Sequence, residues 1–144
     1  MNNQLSGAAF HEAGHAIVAR FFGLGIGAIE IGIDGDDAKG KTDISSADHL
    51  TLVDRVAIWA AGIAAQRLFK QPTHELAGLD DLARIHELLE DELNAETDRD
   101  ACYDAGFKRA REILASRREA VERLAHSLIE HRKIDGTKAF GSMT

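Results

Sequence analysis

The sequence predicts a mostly helical fold with a small β-hairpin, built from about five helices in a single domain spanning residues 1–144. Apolar residues recur at helical spacing through most of the chain, which indicates amphipathic helices packed on a shared core. The stretch between residues 28 and 44 instead alternates apolar and polar residues, as a half-buried strand does. With 144 residues, 44% of them hydrophobic, the chain is long enough to form one core.

The first helix is predicted to begin near Ser6, a favourable N-cap residue, and to end at Phe22 before Gly23. Gly14 lies inside this helix and costs about 1 kcal/mol of helix stability relative to alanine. Two explanations for it stay open: the bare Cα admits a substrate, or it admits a neighbouring helix. The apolar stripe of the helix comprises Phe10, Ala13, Ile17 and Phe21.

A β-hairpin is predicted after the first helix. Its alternating apolar residues are Ile29, Ile31 and Ile33. Turn-forming residues at positions 34–40 then allow a return strand through Thr42 and Ile44. This hairpin is the only β structure that the sequence predicts.

The second helix is predicted to be capped by Ser45 or Ser46, with Asp48 completing a capping box. Its apolar stripe extends to Leu68, and the segment 58–65 is almost wholly apolar. A helix that is apolar on nearly all sides is buried, so we expect this one to lie at the centre of the core.

Three further helices complete the prediction. The third begins at about Leu79, and the fourth and fifth share the helical periodicity of residues 96–131. The segment Ser116-Arg117-Arg118-Glu119 has the pattern of a capping box, which predicts a break between them. Residues 132–144 are predicted to form an irregular tail, with Ile134 packed on the core.

Composition and charge exclude several classes of function. The 17 basic and 24 acidic residues give a net charge of −7, which argues against nonspecific binding to nucleic acid or to an anionic membrane. The single cysteine, Cys102, excludes an internal disulfide, is typical of a reducing compartment and should be buried. No apolar run reaches the length of a membrane span, and residues 1–4 lack the pattern of a secretion signal. We therefore expect a cytoplasmic protein that does not insert into a membrane.

The first helix carries the motif His11-Glu12-Ala13-Gly14-His15. Histidines four residues apart lie one turn from each other on the same helix face, so both imidazoles can bind one metal ion. Glu12 points about a quarter-turn away, where its carboxylate can take a proton from water. This is the HExxH pattern of zinc-dependent hydrolases. The alternative is a helix with two exposed histidines, which the apolar surroundings disfavour because buried polar groups need partners.

A zinc site needs a third protein ligand from elsewhere in the chain. The metzincin pattern would place a glycine at position 18 and a histidine at position 21, but the sequence has Val18 and Phe21. A carboxylate on a later helix is a further arrangement, and spacing alone leaves several candidates open. The first candidates are Asp80 and Asp81 at the start of the third helix, and the second are His74 and Glu75.

Four stretches resemble the M41 peptidases, the zinc protease domain of the membrane-bound ATP-dependent protease FtsH. Residues 9–16 are similar to the active-site helix of that family, and residues 60–69 to its second core helix. The segment Gly78-Leu79-Asp80-Asp81-Leu82 resembles the one whose aspartate is the third zinc ligand. Residues 105–128 resemble its C-terminal helices.

The resemblance implies a zincin-like metallopeptidase, mostly helical with a small β element near the site. Carried over residue by residue, it makes His11, His15 and Asp81 the Zn²⁺ ligands and Glu12 the general base. Two positions depart from the family pattern: Gln66 stands where glutamate is usual, and Asp80 where asparagine is usual.

The FtsH proteases join this domain to a AAA ATPase and to transmembrane helices, whereas this sequence has no Walker motif. The expected substrate is therefore a peptide or an already unfolded polypeptide, cut without ATP. A separate ATPase and a homo-oligomer stay open as partners. The alternative function is a non-catalytic, metal-binding M41-like module that acts in interaction or regulation.

Overall fold

The computed structural model describes residues 3–35, 37–72 and 78–140. Within these residues the chain is mostly helical with a small sheet, which confirms the predicted fold class. The described residues form six helices and three strands. In chain order these are α1 (Asn3–Phe21), β1 (Ile26–Asp34), β2 (Asp37–Ile44), α2 (Leu52–Leu68), α3 (Leu79–Glu92), α4 (Glu96–Ala115), α5 (Arg118–His131), β3 (Lys133–Asp135) and α6 (Gly136–Phe140).

Helices α1 and α2 form the centre of the core, as their apolar sequences predict. Helix α1 contacts α2, α5 and the sheet, and α2 also packs on α4. A Cβ added to Gly14 would lie 2.5 Å from the carbonyl oxygen of Ala61 and 2.6 Å from the Cβ of Ala65. The structure therefore favours helix packing over substrate access as the reason for glycine at this position. The predicted stripe is wrong at its last residue, because Phe21 is 40% exposed.

The strands form an antiparallel sheet in the order β2-β1-β3. The predicted hairpin is confirmed, with Glu30 of β1 opposite Lys41 of β2. Ile29 and Ile31 are buried, whereas Ile33 near the hairpin end is about half exposed. Strand β2 is an edge strand of this sheet and packs beside α1.

Two predicted caps are wrong, although the helices they were assigned to exist. Helix α2 is capped by Thr51, whose hydroxyl accepts a hydrogen bond from the backbone N–H of Asp54 at 3.2 Å. Ser45 instead continues the hairpin, because its backbone N–H donates to Gly25 O and its hydroxyl accepts from Gly25 N. The break between α4 and α5 is confirmed, but Ser116 donates its hydroxyl back to Ile113 O rather than capping α5.

The predicted irregular tail is wrong for residues 133–140, which form β3 and α6 and add a sixth helix to the predicted five. Arg132 adopts a left-handed conformation, with φ of 66°, and ends α5. The chain then runs antiparallel to β1, with Ile134 opposite Ile29 and packed against the core. Residues 141–144 lie outside the described part of the chain.

Cys102 is buried, as predicted. Among the described residues, no helix combines the length and the apolarity needed to cross a bilayer.

Candidate metal centre

The two histidines of the motif lie on one face of α1, directed toward the same point. Their Nε2 atoms are 3.2 Å apart. His15 is buried and His11 is nearly so, with 8% and 12% of their side chains exposed. A helix presents residues four positions apart on the same face, so this pairing follows from local structure alone.

Asp81 reaches both histidines from the first turn of α3, 66 and 70 residues along the chain. Its Oδ2 lies 2.7 Å from His11 Nε2 and 3.0 Å from His15 Nε2. Helix α3 begins after Gly78, whose left-handed conformation, with φ of 83°, turns the chain into the helix. The neighbouring Asp80 is exposed and does not belong to this group. The other two candidates, His74 and Glu75, lie outside the described residues.

The Nδ1 atoms of both rings face oxygen atoms on α2. His15 Nδ1 is 2.8 Å from the carbonyl oxygen of Ile58, and His11 Nδ1 is 2.6 Å from Gln66 Oε1. Carbonyl oxygens only accept hydrogen bonds, so each Nδ1 carries a proton and donates it. Each Nε2 then faces Asp81, where it can bind a metal ion or, in a doubly protonated ring, donate a hydrogen bond to the carboxylate.

Electrostatics in this group favour a positive charge at its centre. Burial disfavours a charged imidazole, but the hydrogen bond and the negative charge of Asp81, with that of Glu12, outweigh burial and raise the pKa of His15 to about 9. Burial likewise disfavours the Asp81 carboxylate, but hydrogen bonds from His11 and His15 hold its pKa well below the usual range. The cluster of His11, His15 and Asp81 therefore favours binding of either a proton or a metal cation.

The donor atoms fit zinc. Two imidazole nitrogens and one carboxylate oxygen, all within 4.8 Å of one another, form the ligand group His11, His15 and Asp81. Catalytic zinc sites use three such protein ligands, and oriented histidines that donate their other N–H to an oxygen are typical of them. This is the sole group of its kind among the described residues.

Glu12 is a residue of α1 and is 6% exposed. Its carboxylate is oriented by the edge strand β2. Thr42 of β2 donates its hydroxyl to Glu12 Oε1 at 2.7 Å. The negative charge of Glu12 contributes to the raised pKa of His15. The carboxylate is thus placed beside the ligand group but hydrogen-bonded to a different element.

A cavity of about 910 Å³ contains the whole arrangement. Its lining includes the ligand group and Glu12, and one side of it is formed by β2. Ile58 and Trp59 of α2 add an apolar surface next to the histidines. The candidate site is therefore open to a molecule much larger than water.

Several residues of the site were not singled out by sequence reasoning. Thr42 was assigned only to a strand, and the carbonyl of Ile58 carries no sequence signal. Gly62 of α2 leaves room for the His11 ring, since an added Cβ would lie 2.5 Å from its Cδ2 atom. Gln66 was noted as a departure from the family pattern near the inferred site that could tune the metal, but its contact with His11 was not predicted. A polar residue at the end of the apolar segment 58–65 was a usable signal, because a buried amide needs partners.

No family model matches the sequence, and no curated protein matches it either.

Proposed function

We propose that this protein is a zinc-dependent metallopeptidase that hydrolyses peptide bonds in unfolded or flexible polypeptides. The observation that carries the proposal is the convergence of His11 Nε2, His15 Nε2 and Asp81 Oδ2 beside the buried carboxylate of Glu12. The resemblance of four sequence stretches to the M41 peptidases supports the same function. The lone cysteine favours a reducing compartment, and we propose the cytoplasm as the site of action.

Zinc held by His11, His15 and Asp81 would supply positive charge that polarises a peptide carbonyl and makes a nearby water more acidic. The protein contributes the base. Glu12 takes a proton from water and passes it to the leaving amine, and the hydroxyl of Thr42 keeps its carboxylate oriented for that exchange. Burial of the histidines keeps their rings in one orientation throughout.

Strand β2 offers a means of binding extended chains. The backbone N–H of Ile31 donates to the carbonyl oxygen of Arg132, on the β3 side of β1. Backbone groups of successive strand residues point to opposite sides, so the N–H and C=O groups of Glu30 and Gly32 point toward β2. Their partners on β2 are Lys41 and Lys39, which leaves the N–H and C=O of Gly40 on the outer edge. An extended segment pairing there through its backbone would be bound with little regard to its sequence.

The substrate class follows from this mode of binding. Only an unfolded or flexible segment can present its backbone to a strand edge, so a folded substrate would first need unfolding. A separate ATPase stays open as a partner for that step. A homo-oligomer also stays open, and sedimentation tests it.

The test is the substitution Glu12→Gln. The amide has nearly the same shape but cannot take a proton, so we expect zinc content close to one per chain and cleavage of unfolded casein reduced at least about 100-fold. Elemental analysis and a fluorescent casein assay measure the two quantities. A matched control is Glu30→Gln on β1, outside the ligand group, which should cleave normally.

Two outcomes would contradict the proposal in different ways. Unchanged cleavage by the Glu12→Gln protein would exclude the base mechanism. Stoichiometric zinc without any peptidase activity in the unmodified protein would instead favour the non-catalytic, metal-binding module.

A further inference from the structure

Gln66 is the most deeply buried polar side chain of the described residues that no step of the proposed chemistry uses. It lies near the end of α2 with 3% of its surface exposed. Its Oε1 is 2.6 Å from His11 Nδ1, and its Nε2 donates to the carbonyl oxygen of Pro72 at 3.1 Å. One amide therefore links a proposed metal ligand to the loop that follows α2.

Chemistry dictates which way this amide faces. The Pro72 carbonyl can only accept, so the amide nitrogen of Gln66 must point toward it. The amide oxygen then faces His11, and this oxygen can only accept as well. His11 must consequently carry a proton on Nδ1, so that Nε2, which faces Asp81, is the nitrogen available to a metal ion.

The same loop is tied to α1 at a second point. Gln71 donates its backbone N–H to Gln66 O at 2.8 Å, and its side-chain Oε1 accepts the hydroxyl proton of Ser6 at 2.6 Å. The chain from α2 into the segment that leads to α3 is thus held against the helix that carries the histidines. Gln71 belongs to this loop, and its hydrogen bonds among the described residues go to Ser6, Gln66 and Phe69 rather than to His11 or His15, which makes it a natural control.

We propose that Gln66 is a positioning residue of the metal centre: its amide fixes the Nδ1–H tautomer and the ring orientation of His11 and joins that ring to the loop at Pro72. The proposal extends the function proposed above, in that His11 is taken as a zinc ligand. A carboxylate could accept from His11 but could not donate to Pro72, and it would add a negative charge beside Asp81 and Glu12. The neutral amide does both tasks without that charge.

Three variants of the protein separate these roles. Gln66→Leu removes both hydrogen bonds, Gln66→Glu keeps only the acceptor for His11, and Gln71→Leu loosens the loop alone. Zinc affinity is measured by competition with a chromophoric chelator, and circular dichroism verifies that each variant folds. The tautomer of His11 is read from ¹⁵N chemical shifts of the imidazole in zinc-free protein.

We expect Gln66→Leu to weaken zinc binding about 10- to 100-fold, the usual effect of losing a partner of a metal-bound histidine. Its His11 spectrum should lose the Nδ1–H signature. Gln71→Leu should bind zinc within about threefold of the unmodified protein. Both Gln71→Leu and Gln66→Glu should keep the Nδ1–H signature, because His11 retains its acceptor in each.

Three results would overturn the inference: native affinity and tautomer in Gln66→Leu, an equal loss of zinc affinity in Gln71→Leu, or loss of the Nδ1–H signature in Gln66→Glu. None of these readouts depends on peptidase activity. If the unmodified protein binds zinc but cleaves nothing, the proposed function fails while the positioning role stands. If it binds no zinc, the tautomer measurement still decides whether Gln66 orients His11.

Discussion

The ring of His15 lies between two acceptors, the carbonyl of Ile58 at Nδ1 and the carboxylate of Asp81 at Nε2. A neutral imidazole has one N–H and cannot satisfy both. Either a second proton or a metal ion completes the arrangement, and in both cases the added species is positive. The buried ring is therefore a position where proton and metal compete.

This competition predicts a pH dependence of stability in the zinc-free protein. The folded-state pKa of His15, about 9, exceeds its ordinary value of 6.5. The stabilisation is therefore fully present below pH 6.5 and is lost as the pH rises through 9. Urea unfolding between pH 6 and 9.5 should show the free energy of unfolding falling by a few kcal/mol. Zinc-saturated protein serves as the comparison, because its His15 has no such proton to lose, and a flat zinc-free profile would contradict the assignment.

The choice between the two adjacent aspartates is also testable. Asp81 contacts both histidines, whereas Asp80 is exposed. Asp81→Asn removes the negative charge and should weaken zinc binding at least about 100-fold, because a neutral amide oxygen is a poor zinc ligand. Asp80→Asn should leave zinc affinity within about threefold. Competition titrations with a chelator measure both. Unchanged zinc affinity in Asp81→Asn would remove Asp81 from the ligand group, and an equal loss in Asp80→Asn would contradict the choice between the two aspartates.

At the level of elements, the proposed site is shared among α1, α2, α3 and β2. Helix α1 supplies two ligands and the base, α3 supplies the carboxylate ligand, and α2 orients both rings from behind. Strand β2 holds Glu12 through Thr42. Metal binding and the orientation of the base therefore depend on different elements and can be altered separately.

Thr42→Val tests this separation. Valine has nearly the shape of threonine but cannot donate to Glu12, so we expect kcat to fall about 10-fold while zinc affinity stays unchanged. Thr42→Ser keeps the hydroxyl and should retain most of the activity. Casein cleavage and chelator competition provide the two readouts, and a Thr42→Val protein that loses zinc as well would show that β2 also supports the metal ligands.

In the molecule as a whole, the C-terminal segment closes the sheet against the core. Strand β3 covers one side of β1, and α6 follows it directly. Gly136 lies so close to β1 that an added Cβ would be 2.5 Å from Gly27 O and 2.6 Å from Ile26 O. The segment thus fits best with glycine at this position, because even the Cβ of alanine would clash with β1.

Gly136→Ala should accordingly destabilise the protein by roughly 1–3 kcal/mol, the usual cost of overpacking, and lower Tm by several degrees. Gly32→Ala is a suitable control, because an added Cβ there meets nothing within 4 Å. Thermal unfolding followed by circular dichroism compares the two. An equal Tm for both variants would mean that the contact of Gly136 with β1 does not limit stability.

Much of the fold was predictable because it depends on local spacing. Helical periodicity located α1 to α5, the alternation of Ile29 and Ile31 located the hairpin, and the i, i+4 relation placed His11 and His15 on one face. The caps of α2 and α5 and the structured segment 133–140 were not predicted. Ser45, for example, is a favourable cap residue, but its hydroxyl and its backbone N–H are both hydrogen-bonded to Gly25, just before β1.

The sequence by itself determined the helices, the hairpin and the pair of histidines, since each depends on residues a few positions apart. Spacing left Asp80 and Asp81 open, and the family resemblance indicated Asp81. Only the tertiary structure shows that Asp81 meets the histidines, that Thr42 holds Glu12, and that Gln66 lies behind His11. These contacts join residues 30 to 70 positions apart. Their geometry depends on how whole helices and strands pack, and no local pattern in the sequence determines that packing.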